Sequence, residues 1–356
     1  MKDPFENRTK PYYKTHSLHP ENQETPIHFI RSWITPTEYF YRRNHFPYPD
    51  LTSNSFLLQI NGEIKDEMVF PYRYIKSLPA KEVTMVLECS GNKRSRFEPE
   101  VYGEQWEDGA VSQGIWKGVP LHKLLEAAGL KSTAVEVVFE GLDYGERTDF
   151  NGVFRYARSL PVEKAMHPDT IIAYQLNNKP IPYRHGFPLR LVVPQWYAMA
   201  SVKWLNRITV IDHEFKGPFQ TVDYVYYPNK DDDSGKKPVT TINVDSIIQK
   251  PTEYSILDKG LHEIYGIAWA GKGVIEEVEL SFDKGLTWVN AELYRDKREP
   301  YSWVFWKYRW DIKQSGEYTI MSRARDSAGS MQPSKAEWNR KGYGYNAVYT
   351  AEVKVE

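Results

Sequence analysis

Residues 1–55 are polar, aromatic-rich and broken by prolines, with no sustained hydrophobic period, which predicts an extended arm that wraps a core instead of building one. Residues 56–60 (FLLQI) run into Asn61-Gly62, and the apolar return at 68–70 predicts a hairpin. A second β-branched run, 83–88 (VTMVLE), delivers the chain to the turn-type tetrapeptide Cys89-Ser90-Gly91-Asn92, so Cys89 is expected at the mouth of a strand. Helical spacing is clearest over 120–130, where Leu121, Leu124, Leu125 and Ala128 share a face between Pro120 and Gly129. Further strands are expected at 134–139, 171–176, 189–193 and 202–211.

The pattern changes after 227–239, a stretch of proline, lysine and Asp231-Asp232-Asp233 that reads as an exposed linker or long loop. Beyond it short strands recur at 261–269, 275–282, 287–294, 303–311, 317–326 and 349–355, with no helix among them. The fold class is therefore α+β: a mixed α/β domain over 1–235, then an all-β immunoglobulin-like sandwich over 236–356. That sandwich has no cysteine, so its sheets are expected to pack on Trp269, Trp288 and Trp303.

Composition narrows the function classes. With 46 Lys+Arg against 47 Asp+Glu, no global field recruits nucleic acid or an anionic membrane. No apolar run approaches the roughly 18–20 residues that span a bilayer. Met1-Lys2-Asp3-Pro4-Phe5 carries neither the apolar core of a secretory signal nor a twin arginine, so a cytoplasmic location is expected. The single cysteine, Cys89, excludes intrachain disulfides and all-cysteine metal sites, and without a CxxCH segment c-type haem is excluded too.

Three roles remain open for Cys89 beside Lys93 and Arg94: a nucleophile, a soft thiolate ligand to a metal, or an inert buried thiol. Short cationic clusters recur at Arg42-Arg43-Asn44-His45, Lys93-Arg94-Ser95-Arg96, Arg184-His185 with Arg190, and Lys203-Trp204. Each alone fits a solvated face. The last two flank an apolar strand, however, and strand ends are where pockets form; together they would suit a phosphate or another small anion. No phosphate-cradling glycine loop is present, which disfavours ATP hydrolysis and NAD chemistry. Tyr156, between Arg155 and Arg158, and Trp106 read equally as packed aromatics or as pocket walls.

Taken together and in order, several segments resemble the sulfite oxidase family of molybdenum enzymes. They are Arg43-Asn44-His45-Phe46-Pro47, Leu87-Glu88-Cys89-Ser90-Gly91-Asn92-Lys93-Arg94, Trp116-Lys117-Gly118-Val119-Pro120-Leu121, Glu140-Gly141-Leu142-Asp143 and His185-Gly186-Phe187-Pro188-Leu189-Arg190. Gly266-Ile267-Ala268-Trp269 and Ser281-Phe282-Asp283-Lys284-Gly285-Leu286-Thr287-Trp288 look like that family's dimerisation domain. The resemblance implies molybdenum held by a single pyranopterin dithiolene (molybdopterin) and by one protein thiolate, matched by Cys89. It implies cofactor contacts from Tyr41, Arg42, Arg43, Asn44, His45, Asp143, His185, Arg190, Ser201, Val202 and Lys203. The same comparison makes Arg43 and Arg94 pocket arginines, Trp106 a pocket wall and Tyr156 a substrate-facing hydroxyl, with Lys341, beside Arg340, at a further pocket position.

The implied activity is oxygen-atom transfer, sulfite to sulfate, by a homodimer that passes electrons to a separate acceptor. No haem domain is read in the sequence. Two other readings stay open: a nitrate or S-oxide reductase on the same scaffold, and a cofactor-free binding protein. The chain also departs from the family. Cys89-Ser90-Gly91-Asn92-Lys93-Arg94 stands where Cys-Ala-Gly-Asn-Arg-Arg is usual, and Pro194-Gln195-Trp196-Tyr197-Ala198-Met199-Ala200 lacks two glycines and an arginine found before the Val-Lys-Trp of sulfite oxidases.

Overall fold

The computed structural model describes residues 12–51, 56–295 and 299–356; Met1-Lys2-Asp3-Pro4-Phe5, read above for a targeting signal, lies outside them. The arm begins as an antiparallel ribbon, Lys14–Leu18 with Glu21–Glu24. Two short 3-10 turns follow, Ile27–Phe29 and Thr37–Tyr39, each entered from a proline whose fixed φ suits the first helical position. Gln23 and Arg42 then exchange backbone hydrogen bonds of 2.9 and 2.8 Å, which ties the segment around Arg42 to the ribbon.

Two five-stranded sheets build the first part of the chain. In one, Lys81–Glu88 pairs with Val111–Pro120, which pairs with Ile171–Leu176; Lys179–Pro180 and Arg190–Val192 add to the last of these. The other runs Met68–Pro71, Leu57–Gly62, Leu205–Ile211, Glu136–Glu146, Val153–Pro161. The predicted hairpin forms, but Asn61-Gly62 is not its turn. Both residues pair in parallel with Thr209 and Val210, so the strand runs on and the chain reverses over 63–67. The predicted helix is Leu121–Ala128; its four apolar positions are buried and Gly129, at φ 70, closes it in the left-handed conformation glycine tolerates best.

The second part is a β-sandwich of a four-stranded and a five-stranded sheet. The sequence pattern did not foresee its strands Asp245–Lys250 and Ser255–Leu257. The single strand expected at 287–294 is broken: Val289–Asn290 stays with one sheet and Glu292–Tyr294 crosses to the other. Trp269 and Trp303 are fully buried as expected, whereas Trp288 is not an inter-sheet residue. Its indole donates to the Gly285 carbonyl of its own turn and its ring lies under Arg323, 3.9 Å from the guanidinium carbon. Trp306 is buried in its place. The linker reading fits residues 228–238, which are exposed, although Lys237–Pro238 also pairs with Val225–Tyr226. Among the described residues no helix is long and apolar enough to cross a membrane.

One apolar cluster runs through both parts, from Leu58 past Tyr156 to Val353. Polar contacts cross the junction at many points, Gln249 to Ile27 and Ile30 and Tyr301 to Asp169 among them, and four residues of the 88–94 segment take part. Trp269 donates to Glu88 (2.9 Å), the Gly344 amide to the Ser90 carbonyl (2.7 Å), and the Arg94 Nε to the carbonyls of Lys341 and Gly342 (3.1 and 3.2 Å). Lys93, wholly buried and left-handed at φ 60, pairs with Asp245. Burial lifts the Asp245 carboxyl to about 6 even against that ammonium. Lys93→Met is expected to cost about 3–5 kcal/mol in chemical denaturation, the usual loss when one partner of a buried pair is removed. Lys93→Met with Asp245→Asn is expected to recover most of it.

Candidate active site

The strand Lys81–Glu88 is buried over its last six residues and stops where Cys89 turns away, because the Cys89 amide donates to the Ala110 carbonyl and its own carbonyl accepts from the Asn92 amide (both 2.9 Å). Asn92 fixes the turn from inside: its Oδ1 accepts from the Ala110 amide at 3.0 Å and its Nδ2 donates to Glu88 at 3.1 Å. Cys89 is 7% exposed and opens onto a cleft of about 690 Å3.

Tyr41, Arg42, Arg43, Asn44, His45, Cys89, Asp143, Tyr156, His185, Arg190, Ser201 and Lys203 all line that cleft. The arm brings the first five; Cys89 follows one strand and Arg190 begins another, Asp143 and Tyr156 lie within paired strands, His185 ends a 3-10 turn, and Ser201 and Lys203 precede the strand Leu205–Ile211. Four expected residues stand behind the wall. Val202 is core, with its carbonyl accepting from the Leu191 amide at 2.9 Å. Trp106 packs with Tyr41, Cys89 and Ala110. Arg94 spends its nitrogens on the carbonyls of Glu104, Lys341 and Gly342 and lies 5.1 Å from the Tyr343 ring. Lys341 faces Asp223 at 3.6 Å, and Arg340 pairs with Asp233.

The sequence reading passed over Tyr224 and assigned no role to Arg184 or Ser90, which also line the cleft. Tyr224 is one of 25 tyrosines and nothing local marks it, although its hydroxyl lies 2.7 Å from His45 Nε2. Arg184 adjoins His185 in a cluster already noted, and the structure gives it an ion pair with Glu21 (3.0 Å).

Charge decides what this cleft can hold. Arg42, Arg43, Arg184, Arg190 and Lys203 face a single lining carboxylate, Asp143. Burial, together with Arg190, pulls the Lys203 ammonium down to about 7, and burial alone lowers Arg190 to about 10. Burial lifts Asp143 to about 6. Both histidines are held neutral, His45 by burial and by Arg43, His185 by burial and by Arg42. Each shift has the direction that an added anion would reverse for the cations.

Several polar atoms here are buried without a hydrogen-bond partner: Arg190 Nε, Arg42 Nε, Asp143 Oδ1 and Ser90 Oγ. Unpaired buried donors beside a net positive wall fit a polar, anionic cofactor. Gly141 belongs to the same cradle, since a Cβ there would lie 2.5 Å from Asp143 Oδ1 and 2.7 Å from the Lys203 carbonyl. Among the described residues no group of three or more His, Cys, Asp or Glu side chains is placed to hold a metal, and Cys89 is the one thiolate donor the cleft offers. Burial raises its thiol pKa, while Arg43, Arg94 and the Gly91 amide favour the thiolate. A bound cation would tip that balance.

Residues 45–219 match the family described as the oxidoreductase molybdopterin binding domain, and residues 236–356 match the Mo-co oxidoreductase dimerisation domain. The chain is 33% identical over 375 residues to the mitochondrial sulfite oxidase of Rattus norvegicus, covering 99% of this chain and 68% of the relative. It is 31% identical to the sulfite oxidase of Arabidopsis thaliana over 93% of this chain and 91% of that protein. Against the Drosophila melanogaster mitochondrial sulfite oxidase it spans 63% of the relative's length. Among solved structures, the sulfane dehydrogenase SoxCD from Paracoccus pantotrophus superposes with a TM-score of 0.82 at 26% identity, over 99% of this chain and 92% of that one. The fold, the cation-lined cleft around Cys89 and these matches agree: the chain belongs to the sulfite oxidase family of molybdopterin oxidoreductases.

Proposed function

We propose that the protein oxidises a small sulfur oxyanion, sulfite foremost, to sulfate. Water supplies the oxygen, and two protons and two electrons are released, the electrons going to a separate acceptor. The observation that carries this reading is Cys89 at the mouth of a strand, opening onto a cleft whose wall holds five cationic side chains and one carboxylate. Residues 1–235 would carry the cofactor, and 236–356 would supply the contact of a symmetric homodimer.

The residues divide into two sets. Cys89 would ligate molybdenum, and Arg42, Asn44, His185, Arg190, Ser201, Asp143 and Lys203 would hold the pterin and its phosphate. Burial lowers both Arg190 and Lys203, so an anionic partner beside them would favour their charged forms. When bound, the molybdenum cofactor supplies two-electron oxygen-atom transfer. Substrate recognition falls to Arg43, half-buried, with its Nη2 3.3 Å from His45 Nδ1, and to the hydroxyls of Tyr156 and Tyr224. In the structure the Tyr156 hydroxyl donates to the Met199 carbonyl at 2.8 Å, and it would turn from that carbonyl to donate to a bound oxyanion. His45 stacks on Tyr156 with centroids 5.4 Å apart, and because it is neutral it adds no charge that would compete with Arg43 for the anion. Arg94 acts behind this wall, fixing the Cys89 turn to the second domain.

Elemental analysis of protein from a host that makes the pterin, followed on the same sample by sulfite-dependent reduction of ferricyanide, tests the reading. Near-stoichiometric molybdenum with turnover is expected; molybdenum without sulfite turnover would reject sulfite as the substrate. Cys89→Ser is expected to abolish turnover while the thermal midpoint stays close to wild type, since a ligand is lost and the cores are not. For Tyr156→Phe, steady-state kinetics are expected to show kcat/KM lower by about ten-fold, or about 1.4 kcal/mol, the scale of one hydroxyl contact.

A further inference from the structure

Arg158 is a side chain that neither the fold nor the cofactor clamp accounts for. It lies two residues beyond Tyr156 on the strand Val153–Pro161, so the two side chains share a face. It is 1% exposed, among the largest fully buried side chains of the chain. Its Nη1 donates to the Phe219 carbonyl, but Nε and Nη2 have no hydrogen-bond partner, and no carboxylate pairs with it among the described residues. The nearby carboxylate, Asp223, is already engaged by Arg147 at 2.6 Å and by Lys341 at 3.6 Å.

The guanidinium lies 5.5 Å from the ring of Tyr224, a residue that lines the cleft, stacks on Tyr343 and reaches His45 with its hydroxyl. Tyr224 itself is held at φ 51, a conformation that non-glycine residues rarely adopt. A buried, unpaired charge behind a strained aromatic is a costly arrangement, and such departures concentrate where function requires them. The Tyr224 ring offers a π face but no formal charge, and Asp223 is shared with Arg147 and Lys341, so the Arg158 charge is only partly offset before it reaches the cleft.

We propose that Arg158 is a positioning cation set one ring behind the cleft wall, which raises the affinity of the cleft for a doubly charged oxyanion without touching it. Its charge acts through the Tyr156 and Tyr224 face, where Arg43 is the cation in direct reach. The inference rests on the sulfur-oxyanion reading and adds a residue to it. It also explains how an anion site tolerates Lys341 and Arg340 turned towards Asp223 and Asp233: a cation from the first part of the chain stands behind the same wall.

The test compares wild type, Arg158→Met and Arg158→Lys as molybdenum-loaded full chains, reading sulfate affinity by calorimetry, sulfite KM and kcat separately, and the thermal midpoint. Arg158→Met is expected to weaken sulfate binding and raise sulfite KM about ten-fold, leave kcat within about two-fold, and melt at or above wild type, because an apolar isostere removes an unpaired buried charge. Arg158→Lys is expected to restore most of the affinity. Unchanged sulfate affinity and KM in Arg158→Met would overturn the proposal. So would a fall in melting point with an affinity loss that lysine does not recover, since that marks a packing role. If wild type turns over no sulfite, the substrate reading fails, and the sulfate comparison still decides Arg158.

Discussion

The placement of Cys89 depends on a turn fixed by Ala110 and Asn92 from within the first part and gripped over residues 88–94 by a second domain more than a hundred residues away in sequence. Glu88, Ser90, Lys93 and Arg94 each engage a group from that domain, and the cysteine among them engages none. The turn that presents Cys89 is thus held at both flanks by contacts that exist only when the sandwich is docked. The grip uses buried charge, and buried charge is unforgiving: Lys93 without Asp245, or Asp245 without Lys93, is an ion stranded in a core. That makes the junction rigid, and a rigid junction suits a metal ligand, whose distance to the metal tolerates little drift.

The cleft follows the opposite logic. Its cations outnumber its carboxylates, the Nε atoms of Arg42 and Arg190 are buried without a hydrogen-bond partner, its histidines are neutral, and its one lining carboxyl is lifted by burial. A folded chain spends stability on such a wall, and the deficit is made good by an anionic occupant. On the proposed reading cofactor and substrate are both anionic and the same wall would serve both, Arg190, Lys203, Ser201 and Asp143 for the one and Arg43, Tyr156 and Tyr224 for the other. Arg158 extends the field from behind.

Local pattern made the frame legible. The β-branched run that ends at Cys89 and the one-faced helix closed by Gly129 depend on near neighbours in sequence, and both formed where expected. Asn61-Gly62 was misread because its role is set by a strand some 150 residues on, which claims the pair for a parallel ladder. Trp288 failed for a similar reason: its turn captures the indole before the sheets can. The apolar strand between the His185 and Lys203 clusters already related those two, whereas the Arg42 cluster joined them only through the resemblance, since no spacing in the chain ties the arm to that strand. Tyr224 and Arg158 carried no signal at all; one is a tyrosine among many, and the other reads as an ordinary strand charge until its burial is known.

The most direct test of the account is X-ray absorption at the molybdenum edge on wild type and Cys89→Ser loaded in the same host. The account predicts one more sulfur scatterer around the metal in wild type than in the variant. Equal sulfur counts, with molybdenum retained in both, would show that Cys89 is not the ligand and would contradict the assignment on which the site is built.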